Sequence, residues 1–236
     1  MKIIKDYEKE ELEKLLIELK SKVDIQERFS FLFKTFEGRS YISSPLSNEK
    51  EEEKPVLYLK KFDCFTLVET TLSLIINTPK TEKEVVENLI KLRYKNKVIS
   101  FNTRNHYSSL WAEENSDVLN DITPLFKNYY KVIKNISYIK SLPERKVILN
   151  VLSFTNFLKN MKHLKNGDIL LFLSEDIGEI DYFHMAFLNK TGDEGKIFHA
   201  SKKFKRVINE NVKDFFNRTF HPPVTILRLK NDTTSK

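Results

Sequence analysis

The chain has 236 residues, 40% apolar and 12% aromatic, with a net charge of +7 at pH 7; it is long enough to bury a sizeable core and far from a disordered composition. A single cysteine excludes an internal disulfide and a cysteine-rich zinc site. No uncharged apolar run reaches the length of about 18 residues that a membrane-spanning helix needs, and lysine interspersed with glutamate reads as a solvated surface rather than a nucleic-acid patch.

The N-terminus, MKIIKDYEKEELEKLLIELKSK, is studded with acids and lysines and lacks the apolar centre of an export signal. A cytoplasmic location is expected, or a periplasmic one if a leader precedes these residues. Over residues 7–37, Leu12, Leu15, Leu16, Leu19, Val23, Phe29, Leu32, Phe33 and Phe36 recur at three-and-four spacing, which predicts a helical part, with Gly38 as a stop signal. SYISSPLSNEKEEEKP, residues 40–55, reads as a loop over the surface. Helical patterns return at about 64–77, 81–93, 106–115 and 144–160. After residue 166 the pattern becomes short β-like runs, DILLFLS, YFHMAFLNK, KIFHASK, RVINE and VTILRLK, punctuated by the turn signals NGD, TGDEGK and HPP. Helices followed by an antiparallel sheet predict an α+β fold. The whole chain reads as one domain, with residues 1–37 as a helical N-terminal part and 38–236 as a core carrying a helical insertion at about 79–160.

Cys64 follows Asp63 and precedes an apolar helical run, so it falls in the first turn of a core-packed helix. Backbone N–H groups and the helix dipole at that position favour the thiolate, which suits a nucleophile. Position alone also fits a buried structural cysteine. His184 in DYFHMAFLN and His199 in KIFHASK lie on adjacent predicted strands joined by TGDEGK, a connection that lets two histidines meet across a ladder. One can take the thiol's proton while the second fixes its tautomer, giving cysteine-histidine catalysis. A metal site from the two histidines with Asp181 or Asp63 is the weaker alternative, because no ligand spacing supports it.

Five blocks then occur in one order: FDC-x-T-x-VET at 62–70, RNHY at 104–107 with Trp111, NGDILLF at 166–172, FHMAF at 183–187 and FHAS at 198–201. Together they resemble the N-acetylmuramoyl-L-alanine amidase-like branch of the NlpC-type cysteine peptidases, from about Gly38 to the last strand. The resemblance implies a papain-like core with Cys64 as nucleophile, His184 as general base and His199 orienting that base. It implies hydrolysis of the amide between N-acetylmuramic acid, in its 1,6-anhydro form, and L-alanine of cell-wall fragments, with no metal or organic cofactor. Tyr41 matches a family tyrosine upstream of the cysteine and is carried over as an oxyanion or substrate contact. Ser44 stands where the family commonly has glycine, and Phe65 where a small residue often follows the cysteine.

Asp63, Arg104, Asn105, His106, Tyr107 and Trp111 complete the candidate substrate contacts. Arg104 suits a bidentate clamp on a peptide carboxylate, or is a surface arginine; His106, Tyr107 and Trp111 line a sugar-binding wall or cap the core. Asp168 reads as a turn or strand-start residue. The expected partner is a muropeptide, with no nucleic acid and no membrane insertion, and the chain is expected to be a monomer. Two rivals remain at this point: an endopeptidase cutting within the stem peptide, and a non-catalytic module binding wall fragments or nucleic acid.

Overall fold

The computed structural model describes residues 3–175, 178–192 and 194–230, which divide into two compact units. The first takes the residues up to Arg104 together with His199–Ile208; the second takes Asn105–Phe198 and Asn209–Lys230. In chain order, β1 (Ile4–Lys5) leads into α1 (Lys9–Lys20), α2 (Ile25–Phe36), the short strands β2 (Ser40–Tyr41), β3 (Val56–Leu57) and β4 (Lys61–Phe62), then α3 (Cys64–Ile75) and α4 (Glu82–Arg93). There follow α5 (Ser108–Glu114), β5 (Leu119–Asp121), β6 (Tyr130–Ile136), β7 (Arg145–Val151), α6 (Phe154–Asn160), β8 (Ile169–Leu173), β9 (Tyr182–Thr191), β10 (Glu194–Ser201), β11 (Arg206–Asn211), α7 (Val212–Arg218) and β12 (Val224–Leu229). This is the α+β class that the order of periodicities predicts, and a helix begins at Cys64. Part of the expected TGDEGK turn lies outside the described residues.

In the first unit, the single helical stretch expected over 7–37 is two helices. Asp24 accepts a hydrogen bond from the Gln26 N–H at 3.0 Å and so caps a new helix, α2. Val23, counted into the apolar stripe, falls in the break and is 93% exposed. Gly38 does stop α2, at φ +83°, a conformation that costs a glycine little. The α2 stripe Phe29, Leu32, Phe33 and Phe36 is buried, and the Phe36 ring lies 5.0 Å from that of Phe62 on β4. Helices α2 and α4 both pack on α3, which is buried along most of its length. Strand β2 pairs in parallel with β4 and antiparallel with β11, placing Tyr41 beside Phe62.

The second unit carries the antiparallel order β10-β9-β8-β12-β5 and a separate hairpin, β6-β7. Residues 145–151, expected to be helical, form β7 instead. Their burial alternates toward the end of the strand, where Leu149 and Val151 point inward, and β-branched Val147, Ile148 and Val151 favour the pleated conformation. Only from Ser153, whose side chain accepts from the Asn156 N–H, does the chain turn into α6. One sheet face is set by the pairs Leu170 with Ala186, Phe172 with His184 and Leu188 with Ile197. On it Phe157 of α6 and Phe215 and Phe216 of α7 complete an apolar core. Asp168 ends the NGD turn as expected, and it also takes two hydrogen bonds of 2.7 Å from the Arg228 guanidinium, tying the start of β8 to β12.

Candidate active site

Cys64 is the first residue of α3 and is half-buried. The helix starts there because Asp63 and Thr66 form a reciprocal cap. The Asp63 carboxylate accepts from the Thr66 N–H at 2.7 Å, while the Thr66 hydroxyl accepts from the Asp63 N–H at 3.1 Å. Asp63, expected among the substrate contacts, therefore spends its carboxylate on its own helix. Burial pushes that carboxyl above the usual range, against the lowering effect of the Thr66 bonds and the Arg93 charge.

Tyr41 lies on β2 directly beside β4, the strand that ends just before Asp63. Its phenol is held above the ordinary tyrosine value by burial first; a hydrogen bond with Ser43 opposes the rise, and the electrostatic influence of Cys64 and Asp63 adds to it. Tyr41, Asp63 and Cys64 are thus gathered around the start of α3. Ser44, just beyond Tyr41, has φ +51°, the left-handed region in which glycine is at ease. The serine keeps the turn that a glycine would make.

Below the cap, α3 is pinned by a buried ion pair that sequence reading missed. Arg93 at the end of α4 donates from Nε to Glu69 Oε2 at 2.7 Å and from Nη1 to the Val56 carbonyl at 2.8 Å, with both charged side chains fully buried. Burial raises the Glu69 carboxyl while Arg93 opposes the rise. The Asp-x-x-Thr spacing of the cap is readable from a sequence; a pairing between residues 69 and 93 on separate helices is not.

Arg104 is turned to its own unit. Its Nη1 meets both oxygens of Glu53 at 2.9 and 2.8 Å, and its Nη2 donates to the Ser47 carbonyl at 2.9 Å. Tyr94 also donates to Glu53, at 2.7 Å. The acidic run at 49–53 is therefore not all surface: Glu53 folds inward, its side chain 4% exposed, and fastens the 40–55 loop. In the second unit, Asn105, Tyr107 and Trp111 are buried and His106 is half-buried. The Tyr107 hydroxyl accepts from the Ile139 N–H at 2.9 Å.

His199 lies on β10 in the first unit and is 2% exposed; it follows Ile197 by two residues and so points to the same side of its strand. His184 lies on β9 in the second unit, half-buried at the margin of the apolar core. Its ring stands 5.9 Å from Phe215 and 6.1 Å from Phe172, both in stacked orientation. The β8-β9 register skips one residue at Phe183, a bulge immediately before His184 that leaves Phe183 40% exposed. Among the described residues, no group of three or more His, Cys, Asp or Glu side chains is placed to hold a metal ion, and no helix is long and apolar enough to cross a membrane.

No curated protein matches the chain. Solved structures do. A Legionella pneumophila protein is 20% identical, with 94% of each chain covered and a TM-score of 0.81. An N-acetylmuramoyl-L-alanine amidase from Bacteroides uniformis is also 20% identical, covering 87% of this chain and 99% of its own, with a TM-score of 0.76. At such identities the likeness is one of fold. The AmiA-like, or N-acetylmuramoyl-L-alanine amidase-like, family model matches residues 32–221, and the chain belongs to that family.

Proposed function

We propose that this chain is a cysteine amidase. It hydrolyses the amide joining N-acetylmuramic acid, in its 1,6-anhydro form, to L-alanine of peptidoglycan fragments, as in wall recycling. The observation that carries the reading is the placement of Cys64: a half-buried thiol at the first position of a doubly capped helix, with Tyr41 beside it. Membership of an amidase-like family supports the reaction class, and the five sequence blocks support the NlpC-type assignment of Cys64, His184 and His199.

The chemistry runs in two halves. Cys64 sulfur attacks the lactyl carbonyl while His184 accepts the thiol proton. The oxyanion is met by backbone N–H at the start of α3 and by the Tyr41 hydroxyl. The C–N bond breaks as His184 returns its proton to the alanine amine, leaving a thioester on Cys64. Water, deprotonated by His184, then attacks the thioester carbonyl, and the C–S bond breaks to free the muramoyl acid and the thiol. His199 holds the His184 ring.

The test is mass spectrometry of a 1,6-anhydro-muramoyl tripeptide incubated with the wild type and with Cys64→Ala. The expected result is free anhydro-sugar plus intact tripeptide from the wild type alone. A shortened peptide still attached to the sugar would replace the amidase by an endopeptidase, and full activity in Cys64→Ala would remove the cysteine mechanism.

A further inference from the structure

The sheet of the second unit has a second face, opposite the one that carries His184, and a cavity of about 230 Å³ lies against it. Leu171 and Leu227 of the sheet and Leu149 of β7 form an apolar floor and are nearly fully buried. At the mouth stand two exposed carboxylates, Glu113 of α5 and Asp121 of β5, and no lysine, arginine or histidine lines the cavity. The nearby Lys230 ammonium is directed to the Ser116 carbonyl at 2.6 Å.

The walls are fixed rather than collapsible. Tyr182 and Thr225 share a hydroxyl hydrogen bond at 2.7 Å, Thr225 donates to the Asn150 carbonyl at 2.5 Å, and the Asn150 amide donates to Asp121 at 2.9 Å. The other Asp121 oxygen accepts from the Thr123 N–H at 2.9 Å, so the carboxylate is held at both oxygens. Ser109 adds a lining hydroxyl that is itself buried and has no hydrogen-bond partner among the described residues. A polar atom so placed gains from a ligand's donor or acceptor.

We propose that this cavity is a binding site for a small amphipathic amine, the alkyl body resting on Leu149, Leu171 and Leu227 and the ammonium group between Glu113 and Asp121. An apolar floor with a few convergent polar groups is the ordinary make-up of a small-molecule site, and the two carboxylates select the cation. None of the residues assigned to the cysteine chemistry lines the cavity, so the site stands independently of the amidase reading.

The experiment titrates the full-length protein with isopentylamine, isopentanol and isovalerate, following leucine methyl groups by NMR. Saturable shifts at Leu149, Leu171 and Leu227 are expected with the amine, with isopentanol binding roughly two- to thirtyfold more weakly, the range for loss of two exposed ion pairs, and isovalerate weaker again. Glu113→Gln, at an exposed helix position, should weaken the amine roughly two- to fivefold, the range for one exposed ion pair, and leave isopentanol unchanged; Ala112→Leu should fill the mouth and abolish both. Equal binding of the three compounds, or no saturable shift at these leucines, would overturn the proposal. So would a Glu113→Gln protein that binds the amine as the wild type does.

Discussion

Arg93 and Glu69 meet at 2.7 Å with no exposed surface on either side chain, and the same guanidinium holds the Val56 carbonyl. Removing one partner leaves a buried charge unpaired. Arg93→Met is therefore expected to cost about 3–5 kcal/mol of unfolding free energy, and Glu69→Leu a comparable amount. The double substitution should cost much less than the sum, because it buries no lone charge. Chemical denaturation of the four proteins forms the cycle, and additive costs would show that the pair does not act as a pair.

The cap above it makes a gentler prediction. Asp63→Ala removes the side-chain acceptor from the start of α3 and is expected to lower stability by about 1 kcal/mol, whereas Asp63→Asn, an equally good cap, should change it by a few tenths. Thermal unfolding reads the difference. Equal losses in the two variants would mean that the negative charge, and not the capping geometry, is what α3 needs. A muropeptide KM unchanged in Asp63→Asn would agree with a carboxylate occupied by Thr66.

The parts of this site legible in the sequence are those encoded locally. The start of α3 is written in Asp63, Cys64 and Thr66 within four consecutive positions, and Gly38 announces the end of α2. What escaped was long-range or ambiguous. Glu53 reads as one more acid in a solvated run until Arg104, 51 positions away, folds onto it. Residues 145–151 carry apolar side chains compatible with either period, and only pairing with β6 selects the strand. Asp24, a short polar residue between two apolar stripes, is the local signal that could have divided the first helix. The register of β8 against β9, which places the bulge at Phe183, depends on pairing that no single segment contains.

A pH effect follows from the first unit. Glu82 accepts from Lys5 at 2.8 Å and from Tyr7 at 2.9 Å, and the Lys5 bond above all holds its carboxyl below the ordinary 4.5. With the folded value below the unfolded one, the stabilisation is complete above about pH 4.5 and is lost as pH falls through the folded value. The pair is partly exposed, so its worth is at most about 1 kcal/mol. Glu82→Gln should be less stable than the wild type at pH 7 by that order, and the gap should close at pH 3. Parallel stability curves for the two proteins across this range would show that the carboxylate does not carry the effect.

The two histidines make separable predictions about turnover. In the proposed mechanism His184 handles the proton in both halves of the reaction as general base and acid, so His184→Ala is expected to lower kcat by about 10²- to 10⁴-fold with a smaller change in KM. His199 acts, in the proposed mechanism, on the ring of His184 and not on the substrate. His199→Ala should therefore lower kcat less and displace the pH–rate profile, and His199→Asn, which keeps a hydrogen-bonding group on the strand, should recover part of the loss. Because His199 is buried, each variant needs its unfolding curve beside its kinetics: a lower melting temperature with an undisplaced pH profile would make His199 a packing residue. Wild-type turnover in His184→Ala would move the base elsewhere in the chain.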